Sequence, residues 1–146
     1  MDLSPDEIAQ KSAAAMWAND DASKWLGASL DEVSPGTAIL SMTVAKHHTN
    51  GHDICHGGFI FTLADSAFAF ACNSYNQVTV AQENSITYLS PGKPGERLTA
   101  VGVESAKNGR SGVYDITVTG EDGRKVALFR GLSRTIKGQN FEETSS

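Results

Sequence analysis

The chain is poor in the features that most often betray a role. It has two cysteines in 146 residues, Cys55 and Cys72. That is too few for a disulfide framework, so a reducing compartment, the cytoplasm, is the expected setting. Basic charge is also short: 12 Lys and Arg stand against 17 Asp and Glu, a net charge of -5. A nucleic-acid or anionic-membrane partner wants a basic patch, and neither partner is expected. The longest apolar run, Gly57–Cys72, is shorter than a bilayer span and carries Thr62, Asp65 and Ser66. The first residues, Met1-Asp2-Leu3-Ser4-Pro5-Asp6-Glu7, lack the basic and apolar parts of a signal peptide. There is no Walker-type loop, no GxGxxG after a strand, no internal repeat and no linker. What is left is a single domain, residues 1–146, whose 40% hydrophobic content is enough to bury its own core.

The pattern along the chain is short helix, two strands, one long helix, four strands. Ser4-Pro5-Asp6-Glu7 has the makings of a capping box with proline in the first turn, and predicts a helix over about 5–19. Trp25–Leu30 reads as a first strand, stopped by Ser34-Pro35-Gly36. Thr37–Ala45 alternates, with Ala38, Leu40, Met42 and Val44 on one side. A polar loop, Lys46–Cys55, leads to the central helix, expected over about 57–73. Strands follow at Val78–Leu89, Arg97–Ser105, Val113–Thr119 and Val126–Ile136, with Asn108-Gly109 and Asp122-Gly123 as hairpin turns. The polar tail, 139–146, is expected to be flexible. The economical arrangement is α+β: one curved antiparallel sheet wrapped around one long central helix.

The central helix carries the chemistry. It is apolar on nearly every side, yet holds Asp65, an acid rarely buried unless paired or put to use. Thr62, Asp65 and Ser66 share one face. The helix opens with His56-Gly57-Gly58 in place of a hydroxyl or carboxamide cap, so the amide of Gly57 or Gly58 is free to meet an outside acceptor. A carbonyl oxygen gaining negative charge suits that position. Gly57 and Asp65 are eight residues apart, roughly 12 Å along a helix. A donor and an attacking group must each lie about 3 Å from the reacting carbon. One helix therefore cannot supply both, whereas two helices packed antiparallel across a dimer axis can. His47, His48, His52, Cys55 and His56 cluster in sequence with Asp53 nearby, but their spacing lacks the order of a strong metal motif, and no metal is expected. The loop Lys107–Gly112 is basic, and is either a phosphate cradle through Arg110 and Ser111 or an ordinary hairpin turn.

Asn50-Gly51-His52, Cys55-His56-Gly57-Gly58 and Leu63-Ala64-Asp65-Ser66-Ala67 together resemble the hotdog-fold acyl-CoA thioesterases, and within them the phenylacetate-degradation (PaaI-type) group. The likeness runs from Trp17-Ala18-Asn19-Asp20 through Asn84–Pro91 and Gly112-Val113-Tyr114-Asp115 to Val126–Gly131. The resemblance implies that Asp65 acts on the thioester from one subunit, as nucleophile or as base for water, while the Gly57 amide polarises the carbonyl from the other. It implies that Asn19, Asn50, His56, Gly58 and Ser66 line or support the site. Coenzyme A, present only as part of the substrate, is implied along the subunit interface near Pro91, Gly92, Gly109, Arg110, Ser111 and Gly112. Dimers pairing into a homotetramer, an aromatic acyl group and a role in phenylacetate catabolism are further expectations of the same kind. Two alternatives share the architecture: an enoyl-thioester hydratase or dehydratase, and a non-catalytic acyl-CoA binding protein.

Overall fold

The computed structural model describes residues 2–143. Its elements are α1 (Pro5–Ala18), α2 (Asp21–Leu26), β1 (Ser29–Ser34), β2 (Thr37–Thr43), a short 3-10 turn (Lys46–His48), α3 (Gly57–Cys72), β3 (Thr79–Tyr88), β4 (Arg97–Asn108), β5 (Ser111–Thr119) and β6 (Lys125–Thr135). The six strands form one sheet in the order β1-β2-β4-β5-β6-β3, and every neighbouring pair is antiparallel. The α+β arrangement expected from the sequence is the one found.

Helix α3 packs against every strand of that sheet. It turns Ile60, Leu63, Ala64, Ala67, Phe68, Phe70 and Ala71 into the core, where they meet Leu40, Met42, Leu98, Ile116 and Phe129. Each large side chain so buried contributes about 1.5–3 kcal/mol. Alternation puts Tyr114, Ile116 and Val118 of β5 on the helix side. Gly131 of β6 lets the helix come close: a Cβ there would lie 2.7 Å from three atoms of the Phe68 ring.

Two features leave α3 incompletely covered. Gly58 is exposed, and Phe61, Thr62, Asp65, Ser66 and Ala69 are only half-buried, so these residues form an open stripe along the helix. Beside that stripe runs β3, an edge strand paired only with β6. From Val80 to Tyr88 the strand is exposed except at Asn84 and Ile86.

The sequence-based boundaries need several corrections. Trp25-Leu26 belongs to a helix, not to the first strand. Asp20 caps that helix, its Oδ1 accepting from the Ser23 N–H at 2.9 Å, and Gly27 stops it in the left-handed region at φ +84°. Helix α1 ends at Ala18, and Asn19 is its C-cap. β4 runs on to Asn108 because an irregularity between Glu104 and Ala106 absorbs one residue without ending the pairing. The tail expected to be flexible is anchored over its first part. Buried Asn76 takes the N–H groups of Asn140 and Phe141 at Oδ1 and donates to the Phe141 carbonyl. Residues 144–146 of that tail lie outside the described residues.

Candidate active site

The start of α3 is built by His56. Its backbone is extended (φ -62°, ψ 134°), and its Nδ1 accepts the Gly58 N–H at 2.9 Å. An imidazole thus does the work that a serine or aspartate usually does at this position. Of the two glycine amides considered from sequence, Gly58 is therefore satisfied within the chain. The Gly57 N–H finds no acceptor among the described residues. On the other side of the same residue, Tyr88 Oη donates to the Gly57 carbonyl at 2.8 Å. The Gly57 amide thus sits at the positive end of a four-turn helix with its proton unspent. It opens on a recess of about 440 Å³ shared with Asn50, Ile60, Tyr88 and Pro91. Asn50 holds the loop in front of the recess, its Oδ1 accepting from the His52 N–H at 2.9 Å.

Asp65 lies two turns along the open stripe. Its Oδ1 accepts from Asn84 Nδ2 at 3.1 Å, and Oδ2 has no partner among the described residues. Burial pushes its carboxyl above the usual aspartate range, and the Asn84 donor acts in the opposite sense. Asn84 is itself incompletely satisfied: its Oδ1 is buried with no hydrogen bond. Thr62, between the two ends of the site, spends its hydroxyl proton on the Gly58 carbonyl at 2.9 Å. Ser66 Oγ lies 2.9 Å from Ser23 Oγ, and Ser23 Oγ donates to Asp20 Oδ2 at 2.7 Å. Asn19 immediately precedes Asp20, so it stands beside this chain with its side chain exposed.

Not every residue expected to contact coenzyme A is placed alike. Pro91 borders the recess beside Gly57. Gly92 is buried behind it, with its carbonyl taken by the Cys55 N–H at 2.8 Å. Gly109, Arg110 and Ser111 form the β4–β5 turn. The register pairs Ser111 with Arg134, next to the Thr79–Thr135 pair, whereas Tyr88 pairs with Ala127 at the opposite end of the sheet. Within one protomer that turn lies roughly 23 Å from the recess along β6, seven residues of strand at about 3.3 Å each. Gly112 is buried, and a Cβ there would meet Ser133 Oγ at 2.7 Å and the Tyr114 ring at 2.8 Å, so it serves packing.

Among the histidines and cysteines, His48, Cys55 and Cys72 are buried. No group of three or more His, Cys, Asp or Glu residues is arranged to hold a metal ion among the described residues. Burial pushes the thiols of Cys55 and Cys72 up to about 11 and about 12, which keeps both protonated and unreactive. His48 is buried: Nδ1 accepts the Ala45 N–H at 2.9 Å, so the proton sits on Nε2 and is donated to the Leu26 carbonyl at 2.8 Å. Asn84, Ser23 and Tyr88 were not singled out from sequence as site residues, although each touches Asp65, Ser66 or Gly57.

Residues 52–127 match the family model described as the thioesterase superfamily. The chain belongs to the thioesterase superfamily. The family model and the chain's similarity to a named acyl-CoA thioesterase together make it a thioester hydrolase. It is 43% identical to the acyl-coenzyme A thioesterase PaaI of Escherichia coli K12 over 89% of this chain and 93% of that one. The solved structure of the E. coli PaaI protein from the phenylacetic acid degradation operon superposes with a TM-score of 0.91 at 42% identity, covering 93% of this chain and 99% of that one. A hypothetical thioesterase of Streptococcus pneumoniae, solved with coenzyme A, is similar at a TM-score of 0.72 and 26% identity, over 77% of this chain and 90% of that one. The hotdog arrangement expected from the sequence is thus the arrangement of this thioesterase domain.

Proposed function

We propose that this thioesterase hydrolyses acyl-CoA esters with an aromatic acyl group, of the phenylacetyl and hydroxyphenylacetyl kind, and serves phenylacetate breakdown. The carrying observation is the open stripe of α3, which has the free Gly57 amide at one end and the Asp65 carboxylate at the other. The two stand too far apart to share one carbonyl in a single chain. We place a second copy of the chain on the stripe and on the adjoining β3 edge, with the helices antiparallel. Each Gly57 then faces an Asp65 of the other chain, and the homodimer has two shared sites. The same pairing offers a way to bring the Gly109–Ser111 turn of one protomer toward the recess of the other, where coenzyme A would run.

In this reading the Gly57 amide takes the developing oxyanion, helped by the helix dipole. Asp65 acts through Oδ2, either adding to the carbonyl carbon or taking a proton from the water that does. On either route the C–S bond breaks and the CoA thiolate leaves and takes up a proton; where water attacks, the free acid is formed directly, and where Asp65 attacks, a second step in which water cleaves the mixed anhydride releases the acid and restores the carboxylate. No cofactor is needed beyond the CoA that arrives with the substrate. Pairing of dimers into a homotetramer and a cytoplasmic setting complete the proposal. Among the described residues no helix is long and apolar enough to cross a membrane. The hydratase reading wants an imidazole base beside the acid. Here His56 spends its Nδ1 lone pair on the helix cap, which counts against it. The test is thiol release from a panel of aromatic and aliphatic acyl-CoAs. Fastest release from aryl-acetyl esters supports the proposal, and CoA esters bound without turnover refute it.

A further inference from the structure

The Ser66 hydroxyl points into a hydrogen-bond chain that leaves the catalytic helix, and the direction of that chain can be read from its end. Asp20 accepts twice: Oδ1 from the Ser23 N–H at 2.9 Å and Oδ2 from the Ser23 hydroxyl at 2.7 Å. A carboxylate has no proton to return, so the single Ser23 hydroxyl proton is committed to Asp20. Ser23 is buried, and its oxygen is 2.9 Å from Ser66 Oγ. The proton in that second contact must then come from Ser66. The order is Ser66 O–H to Ser23 O–H to Asp20 carboxylate. Ser66, half-buried on the open stripe next to Asp65, is left with lone pairs and no proton to offer.

We propose that Asp20 and Ser23 are positioning residues that fix Ser66 as a hydrogen-bond acceptor for the attacking water. The inference rests on the thioesterase reading of the same site. Water held between the Asp65 carboxylate and the Ser66 oxygen gives a proton to each and turns its own lone pair outward, toward the thioester carbon. A Ser66 hydroxyl free to rotate would donate to that water instead, or to Asp65, and would blunt either as a base. The sequence separation of 43 residues between Ser23 and Ser66 means that α2 is placed to tune a helix it does not adjoin in sequence.

The decisive variant is Asp20→Asn. Asparagine caps a helix as well as aspartate does, so α2 keeps its Oδ1 cap. Its Nδ2, however, donates to Ser23, which reverses the chain and turns the Ser66 proton into the site. Steady-state thiol release from the acyl-CoA that wild type turns over fastest should show kcat down about tenfold or more with KM unchanged. The melting temperature should stay at the wild-type value. Ser23→Ala breaks the chain at its middle and should give the same split. Asp20→Asn added to Ser66→Ala should cost nothing further, because the acceptor it orients is already gone. Wild-type kcat in Asp20→Asn or Ser23→Ala overturns the proposal and leaves Asp20 as a helix cap only. Absence of any thiol release by wild type overturns the thioesterase reading together with it.

Discussion

A proline at position 57 would remove the one proton on which the oxyanion argument depends. Gly57 is the first residue of α3, where a helix needs no N–H and proline is favoured. His56 before it already sits at φ -62° and ψ 134°, the region that a residue preceding proline prefers. The backbone therefore accepts the change. The new Cβ is a separate matter: it would lie 3.0 Å from Tyr88 Cζ and 3.2 Å from its Oη. Tyr88 is exposed and can swing away, giving up its 2.8 Å hydrogen bond to the Gly57 carbonyl. That bond is worth about 0.5–1.5 kcal/mol. Against it, the loss of glycine's freedom in the unfolded chain returns about 0.4–1 kcal/mol. The two nearly cancel, so Gly57→Pro should melt close to wild type. Gly57→Ala carries the same Cβ and disturbs Tyr88 equally, yet keeps the N–H. The ratio of the two variants isolates the proton. Removal of one oxyanion donor costs about 10²–10³ in kcat. Thiol release by Gly57→Pro should therefore be at least about a hundredfold slower than by Gly57→Ala, as both fold alike by circular dichroism. Similar rates for the two variants would refute the role given to the Gly57 amide.

Asn84→Leu removes the donor to Asp65 and an unsatisfied buried oxygen at once. In the proposed mechanism the reaction needs the carboxylate, and loss of the donor raises its pKa, so the acid limb of kcat/KM should move to higher pH while the melting temperature holds or rises; a limb that stays put, read from a pH–rate profile, contradicts this. His48 is held neutral by burial, with its pKa below the ordinary value. The unfolded chain then binds the proton more readily, so stability is full above the unfolded value of about 6.5 and falls as pH drops below it. Melting scans between pH 8 and pH 5 (about the range of histidine titration) should show that loss, and His48→Gln should reduce it. Gly131→Ala drives a methyl into the buried Phe68 ring, with Cβ at 2.7 Å, and should destabilise by about 1–3 kcal/mol in a denaturant titration.

How much of this was readable from sequence follows from how far apart the interacting residues lie. The central helix and the β4–β6 hairpins were legible because capping, alternation and turn residues act over a few positions. The helix α2 was missed because Trp25-Leu26 looks like a strand start, and the informative residues, Asp20 and Gly27, flank it and are not part of the apolar pair. Gly57 and Asp65 stand out because a helix start without Ser, Thr, Asp or Asn and a lone acid are odd within one apolar segment. Their supports did not. Asn84 reaches Asp65 from 19 residues away and Ser23 reaches Ser66 from 43, and nothing local marks either. That the acid is only half-buried also needed the structure. Its half-exposure on an open stripe is a property of how the sheet ends at β3, which no helical pattern encodes.

Asp65 is the residue proposed to carry out thioester hydrolysis, and the direct measurement is thiol release from phenylacetyl-CoA by wild type and Asp65→Asn side by side. Asparagine keeps the size and shape of the side chain, so the fold should be unchanged while the base or nucleophile is gone. Asp65→Asn should lower kcat by about two orders of magnitude or more with an unaltered melting temperature. Turnover by Asp65→Asn at the wild-type rate would contradict it.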